Sequence, residues 1–113
     1  MKTIMITVIV TYQVKPQFAA TNKENIARFL ADFKKLPVGF VYEVFTKADQ
    51  LTFVHFSCYK NEAIQKRLLN TPSFKEFQRL RDESGLDGSH KVEILTYVGS
   101  TAESFLEQPI SAL

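Results

Sequence analysis

Residues 51–85, LTFVHFSCYKNEAIQKRLLNTPSFKEFQRLRDESG, decide the fold of this chain. The first nine residues are rich in β-branched and aromatic side chains, which predicts a strand over residues 51–59. An amphipathic segment follows at once, with Asn61 placed to cap it. Thr71 and Pro72 then restart a second helical piece, because Thr suits the N-cap and Pro the first helical position. Gly85 fits the position after a helix end. The stretch predicts a strand followed by a two-part helix that covers a sheet.

The N-terminal part predicts a further strand and helix. Residues 4–14 alternate with period two, with apolar side chains at every even position and a mixed set at the odd positions, which is typical of a strand. Thr21 and Glu24 have the spacing of a capping box, so a helix is expected to begin there. The helix is expected to end near Leu36, because Pro37 disfavours helical backbone at the residue before it.

Two more β-rich segments complete the pattern. The segment FVYEVFT and the strand of the deciding stretch are separated by a polar turn at residues 47–50, which predicts a hairpin. Residues 91–98 predict the last strand. The order β-α-β-β-α-β predicts an α+β, ferredoxin-like fold, a four-stranded antiparallel sheet with both helices on one face. We expect residues 1–99 to form this domain, and residues 100–113 to form a C-terminal tail that docks on the body or on a partner subunit.

The sheet is predicted to be apolar on both faces. On the second strand one parity carries Phe40, Tyr42 and Val44, and the other carries Val41 and Phe45. An antiparallel sheet with one solvated face would alternate cleanly between apolar and polar residues. Each large apolar side chain left in water forfeits roughly 1.5–3 kcal/mol. We therefore expect a homodimer through the sheet face, with singly exposed aromatic residues as the alternative.

Composition excludes several classes of protein. A chain of 113 residues is short enough for one domain, and a net charge of +2 does not suggest a nucleic-acid partner. One cysteine and two histidines make a disulfide impossible within the chain and an all-protein metal site improbable. The apolar N-terminal segment lacks a small-residue cleavage site, and no apolar run is long enough for a membrane span. The expectation is a cytoplasmic protein with no membrane and no bound metal.

Several short patterns resemble those of the antibiotic biosynthesis monooxygenase-like domains. The resemblance extends over about residues 5–99 and is carried by PxGFxxEV at 37–44, FVxFxxY at 53–59, NEA at 61–63, a leucine at 68 or 69, and TPxF at 71–74. It implies a dimeric α+β barrel, in which two ferredoxin-like units close their sheets against each other. The superfamily includes cofactor-independent quinone-forming monooxygenases, haem-degrading enzymes, lactone isomerases and processors of signalling molecules, so the fold alone leaves the function open.

The chain departs from the haem-degrading branch of that superfamily. The resemblance implies that this branch carries an Asn on the first strand, a Trp early in the second helix and a His later in it. The corresponding positions hold Val10, Leu68 and Gln78. Tyr59 stands where the wider family usually has Trp at the end of the third strand. Haem is therefore not expected as a ligand.

His55 is the candidate catalytic residue. Its unperturbed pKa lies near neutrality, so it could act as a general base or proton shuttle, although a strand histidine among aromatics is often only a hydrogen-bonded core or interface residue. Tyr12, Tyr42, Tyr59 and Arg67 are the candidate substrate-binding residues. For each tyrosine the alternative is simple packing or, for Tyr12, a hydroxyl placed at the sheet edge.

The remaining reactive side chains are assigned structural roles. Cys58 has the opposite strand parity to His55, so the two cannot form a same-face nucleophilic pair. Lys66, Arg67, Arg79 and Arg81 are most simply a solvated helix face, although Arg67 or Arg81 could reach a ligand carboxylate. No phosphate-binding loop, paired-carboxylate motif or Ser-His-Asp arrangement is present.

Three functions remain open from the residues. The first is a monooxygenase-like enzyme that oxidises a small aromatic or quinol-like substrate in an apolar helix–sheet cleft, without a cofactor. The second is a non-catalytic module of the same fold, for binding a small apolar ligand or for dimerisation. The third is RNA binding, which is disfavoured because residues 51–59 contain neither glycine nor a basic residue.

Overall fold

The fold is an antiparallel sheet with all helices on one side. The computed structural model describes residues 5–101. The elements are β1 (Ile6–Gln13), α1 (Ala19–Phe33), β2 (Phe40–Thr46), β3 (Thr52–Tyr59), α2 (Glu62–Leu69), α3 (Pro72–Leu80) and β4 (Lys91–Leu95). The strand order is β2-β3-β1-β4 with antiparallel neighbours throughout, which confirms the ferredoxin-like prediction. The predicted tail at 100–113 lies, beyond residue 101, outside the described residues.

Helix α1 begins earlier than predicted. A 3-10 turn at Pro16–Phe18 runs directly into the helix, which starts at Ala19 with no side-chain cap. Thr21 and Glu24 therefore lie inside the helix, and the capping-box prediction is wrong. The start is set by the restricted φ of Pro16 and by burial of the Phe18 ring, and neither requires a side-chain cap.

Other element ends differ by a few residues. Helix α1 ends at Phe33, and the three residues that follow it continue as turns, closed by bonds such as Leu36 N to Phe33 O at 3.0 Å. Strand β4 ends at Leu95 and not at residue 98. The predicted Asn61 cap is confirmed, since Asn61 Oδ1 accepts a hydrogen bond from Ile64 N at 2.9 Å.

Gly85 leaves room for the Phe18 ring, which a larger residue would displace. It closes a π-helical turn at Arg81–Gly85 that extends α3, and it does not adopt a left-handed backbone. A Cβ atom at this position would overlap the ring of Phe18. Gly85 was expected just after a helix end, and it instead lies within the last helical turn, where it lets α3 approach the start of α1.

The strand register puts the aromatic residues under the helices. His55 lies opposite Val10 of β1 and opposite Val44 of β2, so these three side chains share the helix-facing side of the sheet. The core between sheet and helices is formed by Tyr12, Val14, Phe18, Ile26, Phe29, Phe33, Phe53, Tyr59, Leu68, Phe74 and Phe77. The core is therefore predominantly aromatic, and its few polar atoms need partners within it.

The opposite face of the sheet is also apolar, but only in part. Ile9, Val54 and Phe56 are half-buried there, and Phe45 is 54% exposed. Cys58 lies on this face with its Sγ 3.2 Å from Thr7 Oγ1, which confirms that it cannot pair with His55. Phe45 is the second-last residue of the edge strand β2, and its exposed ring extends the apolar surface of this face.

No helix within residues 5–101 has both the length and the apolar content needed to cross a lipid bilayer.

Candidate functional site

A chain of four polar side chains passes through the aromatic core. His55 is 3% exposed, and its Nε2 and Nδ1 atoms lie 2.8 Å from Tyr12 Oη and 2.8 Å from Tyr42 Oη respectively. Asn22 of α1 donates from Nδ2 to Tyr12 Oη at 2.9 Å. The sheet makes this possible because Tyr12 and Tyr42 are diagonal neighbours of His55 on the two flanking strands.

Aromatic rings enclose the imidazole. The His55 ring is stacked on Phe77 at a centroid distance of 5.4 Å and lies 6.1 Å from Phe29. Tyr12 in turn stacks on Phe53 at 5.7 Å. These rings come from β1, β3, α1 and α3, so the site is assembled only when both helices are docked. They exclude water from the imidazole, which makes every polar contact inside stronger.

Burial sets the protonation states of the hydrogen-bonded side chains Tyr12, His55 and Tyr42. Loss of hydration, and secondarily the nearby guanidinium of Arg81, lowers the pKa of His55 from its ordinary 6.5 to about 3. Burial likewise raises the pKa of both Tyr12 and Tyr42 well above the ordinary tyrosine value. At neutral pH the site therefore contains a neutral imidazole between two neutral phenols.

Arg81 is a buried residue, and its assignment to a solvated helix face is wrong. Only 6% of it is exposed, and its Cζ lies 5.1 Å from the ring centroid of Tyr12 and 5.4 Å from that of Phe77. Helical spacing explains this, because Arg81 lies four residues after Phe77 and seven after Phe74, on the buried face of α3. Arg79 remains exposed and pairs with Glu76 at 2.7 Å.

A small chamber of about 90 Å³ adjoins the hydrogen-bonded side chains. Its walls come from β1, β2, β3, α3 and the approach to β4, and they comprise Val10, Tyr42, His55, Phe74, Phe77, Gln78, Arg81, His90 and Val92. His90 and Val92 are exposed, so the chamber opens to solvent past β4. A second, apolar cleft of about 330 Å³ lies on the other side of Tyr42, between α1 and β2.

The predicted site residues fall into two groups. His55, Tyr12 and Tyr42 are brought together by direct hydrogen bonds. Tyr59 is buried at the far end of β3 and makes no hydrogen bond to them, and Arg67 lines a separate cavity of about 190 Å³ beside Leu36 and Phe40. The alternative that placed the Tyr12 hydroxyl at the sheet edge is wrong, because β4 pairs with β1 and Tyr12 is buried.

One residue of the site, Asn22, was missed from the sequence, and Arg81 was named only as an alternative that could reach a ligand carboxylate. Asn22 is four residues before Ile26 and seven before Phe29, so it lies on the apolar stripe of α1, where a polar residue signals a specific partner. Arg81 lies four residues after Phe77, so the same spacing indicates the buried face of α3. No cluster of three or more His, Cys, Asp or Glu side chains suited to hold a metal lies within residues 5–101.

We predict that His55 makes the stability of the fold depend on pH. Unfolded His55 takes up a proton below its ordinary pKa of 6.5, whereas folded His55 stays neutral down to about 3. Unfolding is therefore coupled to proton uptake, and the free energy of unfolding falls as pH drops through this window, by up to about 1.4 kcal/mol per pH unit. Denaturant unfolding at roughly pH 7.5 and pH 5.5 measures the difference, which we expect to be about 1 kcal/mol.

The two histidines supply a matched control. His90→Gln should keep this pH dependence because His90 is exposed, whereas His55→Gln should remove most of it. An equal pH dependence in wild type and His55→Gln would contradict the assignment.

Comparisons with known proteins agree with the architecture. Residues 5–80 match the antibiotic biosynthesis monooxygenase family. No curated protein matches the chain in sequence. Among solved structures, PA3566 from Pseudomonas aeruginosa superposes with a TM-score of 0.73 at 20% identity, covering 88% of this chain and 99% of that one.

Two further structures share the fold at low identity. Rv0793 from Mycobacterium tuberculosis superposes with a TM-score of 0.74 at 15% identity, covering 87% of this chain and 99% of that one. SnoaB from Streptomyces nogalater, a cofactor-independent oxygenase, superposes with a TM-score of 0.68 at 18% identity, covering 88% and 98% of the two chains. With about two thirds of its length matched by the family pattern, the chain belongs to the antibiotic biosynthesis monooxygenase family.

Proposed function

We propose that this protein oxidises a small aromatic or quinol-like compound with molecular oxygen and without a cofactor. The observation that carries the proposal is the neutral Tyr12–His55–Tyr42 chain, which ends beside a chamber that also contains the Arg81 side chain. Membership of a monooxygenase family supports it, as does the shared fold with a structure described as a cofactor-independent oxygenase. The chamber of about 90 Å³ has room for the reacting end of such a compound and not for the whole molecule, since pockets that enclose a small molecule are about 300–1,000 Å³.

The proposed reaction needs only the substrate and oxygen. An anthrone, taken as the example, loses a proton to give an electron-rich anion, which transfers an electron to O₂, combines with the resulting superoxide and takes the proton back on the peroxide. The peroxide formed at a CH₂ carbon then loses water to give C=O. One oxygen atom enters the product and the other leaves as water, so atoms and electrons balance.

In this scheme the protein holds the anion and manages its proton. Arg81 lines the chamber and supplies positive charge for the substrate oxygen. His55 is the proposed base, and it reaches the substrate only through the Tyr42 hydroxyl, because both of its nitrogens are already bonded. If the imidazole hydrogen rests on Nδ1, it must move to Nε2 before Nδ1 can accept a proton from Tyr42. A pKa of about 3 makes His55 a weak base, so the step depends on stabilisation of the substrate anion by Arg81. Tyr59 and Arg67 would contribute only if a substrate extended into the other cavities.

We predict oxygen uptake with at least one member of a panel of hydroquinones and anthrones. His55→Gln should lower the rate by about 100-fold or more, because positioned proton transfer contributes at least that much. His90→Gln is the matched control and should stay within about threefold of wild type, a margin typical of a surface change. Uptake is followed with an oxygen electrode. If the wild type is inactive with every compound of the panel, or if the two variants have equal rates, the proposed enzymatic activity is contradicted.

A non-catalytic binding module remains the second candidate. The observation that favours it is the full engagement of His55, whose two ring nitrogens are bonded and whose pKa is far below neutrality, as in a purely structural histidine. Such a protein would bind the same aromatic compounds and leave them unchanged. Calorimetric binding in the absence of any oxygen uptake would select this candidate.

We also propose that two copies of the chain associate through the free face of the sheet. The support is the half-buried apolar residues of that face together with the exposed ring of Phe45. Covering a phenylalanine ring contributes about 1.5–3 kcal/mol, so Phe45→Glu should weaken association at least tenfold. Val38→Glu, at a residue of the helix side with similar partial exposure, is the control. Association is measured by native mass spectrometry. A stable wild-type monomer at micromolar concentration would contradict the proposed dimer.

A further inference from the structure

The direction of the hydrogen-bond chain can be worked out from its first member. Asn22 Nδ2 can only donate, so Tyr12 Oη accepts from it. The Tyr12 hydroxyl hydrogen then has one acceptor within reach, His55 Nε2 at 2.8 Å. A neutral imidazole that accepts at one nitrogen carries its hydrogen on the other, so His55 Nδ1 donates to Tyr42 Oη.

This direction leaves one hydrogen without a partner in the chain. Tyr42 Oη accepts from His55, so its own hydroxyl hydrogen is available for another acceptor. Tyr42 lines the chamber, and so does Arg81. Arg81 uses Nε for Asp82, with 2.9 Å between Nε and Oδ1, and its two terminal nitrogens make no hydrogen bond to residues 5–101. The Tyr42 hydroxyl and the Arg81 guanidinium are therefore both available as donors to a ligand in this chamber.

We propose that Asn22 is a positioning residue that directs the Tyr12–His55–Tyr42 chain toward the chamber, which thereby takes the anionic oxygen of a phenolate or enolate. A chain of donors all pointing one way strengthens the last of them, here the Tyr42 hydroxyl. Fixed donors around a small, partly enclosed chamber favour the form of a ligand that carries negative charge on oxygen. The ligand class rests on the proposed function, whereas the direction of the chain does not.

The charged and titratable groups that face the chamber are consistent with an anionic ligand. Arg81 and the exposed His90 line it, and the carboxylate of Asp82 is held on the outer side of the guanidinium by the bond to Nε. Among residues 5–101, no carboxylate lines the chamber. The reverse chain, in which Tyr42 donates to His55, would leave the Tyr12 hydrogen buried with no acceptor, unless Asn22 turned its oxygen toward it.

The first experiment determines the tautomer of His55 directly. Two-dimensional NMR of protein labelled with ¹⁵N in histidine distinguishes the two ring nitrogens. We expect the hydrogen on Nδ1 in wild type at neutral pH. Asn22→Asp, measured at alkaline pH where the carboxylate accepts from Tyr12, should move the hydrogen to Nε2. Asn25→Asp is the matched control, because Asn25 is buried on the same helix but bonds to Arg28 at 3.2 Å and not to the chain.

The second experiment tests the ligand class with 4-nitrophenol, whose ionisation is seen by its absorbance. Excess wild-type protein should lower its apparent pKa by about half a unit or more, since two hydrogen-bond donors stabilise the anion. Tyr42→Phe should halve that shift or abolish it. Neither readout depends on turnover. If both give the expected result and the protein takes up no oxygen, the proposed oxidation is overturned and this inference stands.

Three outcomes would overturn the inference. They are a wild-type His55 with its hydrogen on Nε2, an Asn22→Asp variant that keeps the wild-type tautomer, and a 4-nitrophenol pKa that rises or stays unchanged. The wild-type measurements need no variant, so they decide the matter even if a substitution at Asn22 prevents folding.

Discussion

The structure depends on burying a neutral imidazole in an aromatic core. A histidine at the centre of β3 loses its hydration when the helices dock, and that loss costs free energy unless both ring nitrogens find partners. Tyr12 and Tyr42 provide the partners from the two flanking strands. A charged His55 would be far less stable there, which is why burial lowers its pKa so strongly. The polar atoms of His55 and its partners are therefore satisfied only when β1, β2 and β3 pair in the observed register and α1 docks over them.

The same constraint creates the candidate site. Packing against the two tyrosines leaves a small space between His55, α3 and β4, and Arg81 reaches it from the face of the helix that carries Phe74 and Phe77. The guanidinium of Arg81 lies over the Tyr12 and Phe77 rings and pairs with Asp82, and these contacts offset part of its desolvation cost. Neutral donors and a guanidinium on the walls of one small chamber are the basis on which an organic anion is proposed as its ligand.

The sequence was sufficient for the fold because its signals are local and periodic. Alternation in β1, the Asn61 cap and the Thr71-Pro72 restart each follow from neighbouring residues, and together they predict the order of the elements. Strand parity also separated Cys58 from His55, but it could not show that Tyr12 and Tyr42 share a face with His55, because that depends on the register between strands. The burial of Arg81 was missed although the residue lies four positions after Phe77, and at the start of α1 a proline turn replaced the expected cap. The partner of Tyr12 required knowledge of which helix turn faces which strand.

The central claim, that His55 is held neutral by its surroundings, is tested most directly by titrating its ring with NMR. The ¹⁵N and ¹³C signals of His55 should stay those of a neutral imidazole from pH 8 down to the acid limit of the folded state. A His55 that takes up a proton near its ordinary pKa of 6.5 in the folded protein would contradict the account.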